Sequence, residues 1–208
     1  MDDSLLLMLI IIVLTLFFII LGFLISDNKN VKRFNRNPEE IVYFELEKIM
    51  CEFGGYLYNN ICFEDNDGYS SELDHLFITK AGIFVIETKG YRGIISGKTI
   101  DSNWYSYNKA FINPVKQNDG HINHLKKILN LKYRYYSVIV FPLADEIITD
   151  NDNTFLLDDA IDFIKDEINN GKLLEKDINR IDSEINFLMK KYGISKEKHV
   201  ENIKNTYS

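Results

Sequence analysis

Hydrophobic positions are distributed along this chain in three distinct ways. From Leu5 to Ile25 they form one unbroken run of 21 residues without a charge, Pro, Asn or Gln. At 1.5 Å rise per residue a helix of that length spans about 30 Å, the thickness of a bilayer core. The spacing then turns helical. Val42, Leu46 and Ile49 share one face of a helix predicted from Pro38 to about Phe53, with Gly54-Gly55 ending it. Next come strand-length runs: Tyr56 to Phe63, Leu73 to Thr79, and Ile83 to Lys89, the last two joined as a hairpin through Lys80-Ala81-Gly82. Ile94-Ile95 and Trp104-Tyr105 predict further short strands, and a helix runs from Pro114 to about Leu131. Ser137 to Phe141 reads as a buried strand stopped by Pro142. Two amphipathic helices follow, one carrying Leu157, Ile161, Ile164 and Ile168, the other Ile178, Ile181, Ile185, Leu188 and Tyr192. There are no internal repeats.

Charge refines this picture. Two acids precede the 5–25 run, and Lys29, Lys32, Arg33 and Arg36 follow it. Basic flanks stay in the cytoplasm, so the pattern predicts a single-pass anchor with its N-terminus outside and the remaining chain inside. The alternative, a cleaved signal peptide, calls for a basic start and a small-residue cleavage site, whereas this chain starts Met1-Asp2-Asp3 and leaves the run through Phe23-Leu24-Ile25. Four segments result: a membrane anchor over 1–26, a basic linker over 27–37, a globular domain over 38–150 and an acidic helical region over 151–208. The partners implied are the lipid bilayer through 5–25 and a protein docking on the C-terminal helices. Net charge is −7 over 208 residues, which argues against a uniformly basic nucleic-acid binder. The acidity is confined, however, to the C-terminal third. Residues 89–134 carry nine Lys and Arg against Asp101 and Asp119, the one stretch that would welcome a polyanion. Cys51 and Cys62 are too few for a disulfide scaffold or a zinc ribbon and read as reduced thiols.

The chemistry concentrates on the hairpin. Strand side chains alternate, so Glu87 and Lys89 leave the second strand on one face, and Asp74, at the start of the first, lies across from them. A carboxylate closing an apolar strand is costly unless it is paired or holds a cation. Two readings stay open on the residues alone: a structural Glu87–Lys89 pair with Asp74 capping a turn, or a site for Mg²⁺ or Mn²⁺, which favour oxygen ligands and retain water. His121 and His124 read as surface residues of the helix after Pro114, and Trp104 as a core residue.

Glu72-Leu73-Asp74-His75-Leu76-Phe77-Ile78-Thr79 followed by Gly82-Ile83-Phe84-Val85-Ile86-Glu87-Thr88-Lys89 resembles the nuclease-related domain family. That family belongs to the Asp…(Asp/Glu)-x-Lys, restriction-endonuclease-like nuclease superfamily. The resemblance extends over about 38–145 through Glu39, Gly93, Gly97, Trp104, Asn113-Pro114, Gln117, His121 and Leu125. It departs at Pro38, where the family carries Gly, and at Gly90 and Tyr91, where Asn and Trp are common. The resemblance implies an α/β fold, a central mixed β-sheet flanked by helices, here with the anchor before it and the helical region after it. It also implies a metal-dependent nuclease acting on nucleic acid, DNA in preference to RNA. Asp74, Glu87 and the Thr88 carbonyl would hold Mg²⁺ (or Mn²⁺), and Glu39 would complete the acidic site. Lys89 and Gln117 would serve the attacking water and the scissile phosphate. The alternative is a membrane-tethered scaffold or nucleic-acid-binding protein that keeps the fold without cutting.

Overall fold

The computed structural model describes residues 12, 14–18, 37–129 and 132–206. Contacts divide the chain into two units, 1–37 and 38–208. In the first, Ile12 and residues 14–18 are helical with exposed side chains; the anchor expected over 5–25 otherwise lies outside the described residues. Among the described residues no helix is long and apolar enough to cross a membrane.

The second unit opens with helix α1 (Pro38–Phe53), then three antiparallel strands, β1 (Tyr56–Glu64), β2 (Ser70–Thr79) and β3 (Gly82–Thr88). Strands β4 (Gly93–Ser96), β5 (Asn103–Ser106) and β6 (Lys109–Ile112) intervene before helix α2 (Pro114–Leu129) and strand β7 (Tyr135–Phe141). Short strands β8 (Ala144–Ile148) and β9 (Thr154–Leu156) follow, then helices α3 (Leu157–Asn170), α4 (Glu175–Tyr192) and α5 (Lys196–Thr206). Two mixed sheets result, ordered β1-β2-β3-β7-β9 and β6-β5-β4-β8. The α/β class with a mixed sheet flanked by helices therefore holds, and the second sheet is an addition to it. Asp74 sits in the middle of β2 rather than at a strand start, because the strand begins at Ser70.

Packing explains the sheet. Every residue of β3 is buried, as expected of a strand covered on both faces. One face packs Phe77, Phe84, Ile86, Val138 and Val140 against Val42, Leu46 and Ile49 of α1 and Ile164 and Ile168 of α3. The other packs Leu76, Ile78, Ile83 and Val85 against Ile122 and Leu125 of α2 and Ile181 and Ile185 of α4. Thus α3 and α4 complete the same core as α1 and α2. A third cluster, Ile95, Trp104 and Phe111 with Ile139 and Phe141, joins the second sheet to β7. The β2–β3 turn needs its glycine: Gly82 has φ of 141°, and a Cβ there would stand 2.4 Å from the Arg134 carbonyl oxygen. Without that Cβ, Ile83 N–H donates to the same oxygen at 2.9 Å and starts the parallel β3–β7 pairing.

Candidate active site

The register of β2 and β3 pairs His75 with Ile86, so Asp74 and Glu87 come opposite each other one step beyond the last paired residues. There the Thr88 N–H donates to Asp74 Oδ2 at 2.7 Å. Glu87 is 3% exposed, and its Oε1 accepts from Lys89 Nζ at 2.6 Å. Lys89 follows the end of β3 and is held by its own N–H to the Val140 carbonyl at 2.9 Å. Its ammonium also donates to Gln117 Oε1 at 2.9 Å.

Helix α2 delivers Gln117, and its start is fixed chemically. Asn113 caps the helix, its Oδ1 accepting from Val115 N–H at 2.9 Å, and Pro114 fills the first helical position, where its missing N–H costs nothing. The same Asn113 side chain donates to the carbonyls of Lys98, Thr99 and Asp101, tying the helix start to the β4–β5 loop. Asn118, fully buried, donates to the Val85 carbonyl and to Ser137 Oγ, each at 2.9 Å, and so clamps α2 across β3 and β7. Glu39 lies half-buried in the first turn of α1, and its charge bears on both Asp74 and Glu87; Glu40 is exposed. Thr88 is buried, and its hydroxyl has no hydrogen-bond partner among the described residues. Asp74, Glu87, Thr88, Lys89 and Gln117 therefore meet at the end of the β2–β3 hairpin, and Glu39 of α1 acts on the two carboxylates through its charge.

The electrostatics are those of a crowded, desolvated acidic site. Burial, reinforced by the Glu87 charge and opposed by the Thr88 N–H, pushes Asp74 up to about 7. Burial also raises Glu87, against the pull of Lys89. Two expectations on the histidines are corrected. His124 is buried, bonded through Nδ1 to Ser71 Oγ at 2.7 Å and packed on Phe63 and Tyr69. The His121 side chain is 13% exposed beside Glu87, and burial lowers its pKa to about 4. Sequence reasoning also passed over Asn118. Its signal was a polar residue one turn before Ile122 on the apolar stripe of α2. Trp104 is fully buried, as expected of a core residue.

A cation suits this donor set. Buried Glu87 and part-buried Asp74 repel each other, and Mg²⁺ is bound through one or two carboxylates with waters completing its shell. Among the described residues no three His, Cys, Asp or Glu side chains converge closely enough to hold an ion alone.

Residues 35–142 match the profile of the nuclease-related domain family. This chain belongs to that family. The restriction-endonuclease-like superfamily is consistent with the match, which runs from just before α1 through β7. The chain is also similar to an uncharacterized protein of Bacillus anthracis, 27% identical over 132 residues, covering 59% of this chain and 62% of that protein. No solved structure matches significantly. The helices α3 and α4, which close the core, thus lie beyond the nuclease-related match.

Proposed function

We propose that the protein is a metal-dependent nuclease that hydrolyses phosphodiester bonds, of DNA in preference to RNA, on the cytoplasmic face of a membrane held by residues 5–25. The observation that carries this reading is the convergence of Asp74, Glu87, Lys89 and Gln117 at one sheet end. Asp74 and Glu87, with the Thr88 carbonyl, would hold Mg²⁺ (or Mn²⁺), and Glu39 adds negative charge behind them. When bound, the ion supplies Lewis acidity toward the phosphoryl oxygens and lowers the pKa of a coordinated water. Lys89, fixed between Glu87 and Gln117, presents its ammonium where charge grows on the phosphate. Gln117, bonded to Lys89 through its Oε1, keeps its amide N–H₂ to orient the attacking water or the scissile backbone. The uncharged 5–25 run and its basic C-terminal flank support the anchor.

The test is cleavage of labelled DNA and RNA by the full-length chain with Mg²⁺, Mn²⁺ or EDTA. Asp74→Ala and Glu87→Ala serve as controls. Metal-dependent cutting lost in both variants is expected. A wild-type chain that binds nucleic acid but cuts under no metal would move the non-catalytic scaffold ahead.

A further inference from the structure

The two oxygens of Glu87 have unequal company. Oε1 accepts from Lys89 Nζ at 2.6 Å, whereas Oε2 faces the Nε2 atom of His121 at 3.7 Å, too far for a hydrogen bond. His121 stands one helical turn beyond Gln117 on α2, and both of its ring nitrogens are buried without a hydrogen-bond partner among the described residues. The other three histidines differ. His75 is bonded through Nδ1 to Asn59 Oδ1, His124 to Ser71 Oγ and His199 to Ser70 Oγ, at 2.7, 2.7 and 2.8 Å. An imidazole buried with neither nitrogen engaged is uncommon, because desolvated polar atoms are costly when left unpaired.

The spacing fits a shared ion. Two donors each about 2.1–2.2 Å from one cation and 3.7 Å apart subtend about 120° at it, and a closure of about 0.6–0.7 Å brings them to the 90° of adjacent octahedral positions. The geometry points to His121 as a nitrogen ligand that shares one divalent ion with Glu87, so that the site takes first-row transition ions, Mn²⁺ in preference to Mg²⁺. This rests on the metal-dependent reading of the site above. Mg²⁺ is served by oxygen donors and gains little from an imidazole, whereas nitrogen donors favour the ions higher in the transition series. Asp74, whose Oδ2 accepts from the Thr88 N–H, would reach the ion through a bound water, since no three such side chains converge on one point among the described residues.

The test uses the full-length chain loaded with Mn²⁺. Electron spin-echo modulation of the bound ion should show coupling to a ¹⁴N nucleus, and His121→Gln should abolish it. Calorimetric titrations should show Mn²⁺ affinity falling about tenfold or more in that variant, while Mg²⁺ affinity changes by less than about threefold. The wild-type spectrum decides the matter even if the variant folds poorly. Saturable Mn²⁺ binding that depends on Asp74 and Glu87 but shows no nitrogen coupling overturns the role of His121 and leaves the nuclease reading standing. Saturable binding of Mg²⁺ but not Mn²⁺ overturns the role of His121 alone, and no saturable binding of either ion overturns both.

Discussion

At the scale of the residue, Lys89 is where a working nuclease and a folded relic diverge. If its ammonium stabilises developing phosphate charge, Lys89→Ala should lower single-turnover cleavage about 10²–10³-fold with little loss of binding. A mere phosphate contact would instead weaken binding and reduce its salt dependence by about one counterion. Cleavage by Lys89→Ala at near wild-type rate would remove it from the mechanism. Asp74 makes a second prediction, with a definite sign. Its pKa is about 7 when folded against an ordinary 3.8, so the folded chain binds the extra proton. Stability contributed by Asp74 is therefore greatest below about pH 4 and is lost as pH rises toward about 7. Buried His75 and His121, both lowered to about 4, act oppositely, so the comparison must be with Asp74→Asn. Without metal, Asp74→Asn should gain melting temperature over wild type between about pH 5 and 8, and Mn²⁺ should stabilise wild type more at the higher pH. A difference that does not change with pH would contradict the shift. Glu87 and Lys89 were legible because charge at the end of an apolar strand has few bland explanations, and Asp74 was legible through its place across the hairpin from them, although it lies in mid-strand. His121 was not, since Asp119, Gly120 and Asn123 around it are those of a solvated surface and only Ile122 beside it is apolar.

At the scale of the element, the helices beyond the family match behave as structural members. Ile164 of α3 and Ile185 of α4 are at most 1% exposed, one on each face of the main sheet. Ile164→Ala and Ile185→Ala should each cost about 2–5 kcal/mol in urea unfolding, as cavities in a packed core do. Phe187→Ala, on an exposed position of α4, should stay within about 0.5 kcal/mol. Equal, small effects at all three would mean that α3 and α4 are appendages. The long elements could be read from sequence because their apolar spacing is regular: 16 residues in α1 and 18 in α4. The short β6, β8 and β9 escaped. Lys109–Ile112 and Ala144–Ile148 bury little, and Thr154–Leu156 has only three residues, so neither alternation nor length marks them. They exist because sheet partners recruit them.

At the scale of the whole molecule, the acidic C-terminal third and the basic 89–134 stretch belong to one folded unit that follows the 5–25 run in sequence. The chain should sediment with membranes, resist extraction by carbonate, and keep its globular part protected from protease added outside intact cells. Release by carbonate without detergent would refute a spanning anchor. The order of elements also has a temporal side. Strands β1 to β3 are neighbours along the chain, whereas β7 must return past β4, β5, β6 and α2 to lie parallel to β3. Closing that long loop is the entropically expensive step of folding. The chain's single tryptophan sits where the loop closes: Trp104 lies parallel to Phe141 of β7, ring centroids 6.4 Å apart, with its indole N–H on the Lys98 carbonyl. Its fluorescence is thus a built-in clock. In stopped-flow refolding it should reach its native value after the far-ultraviolet circular dichroism of the chain, and coincident traces would show that secondary structure and loop closure form in one step.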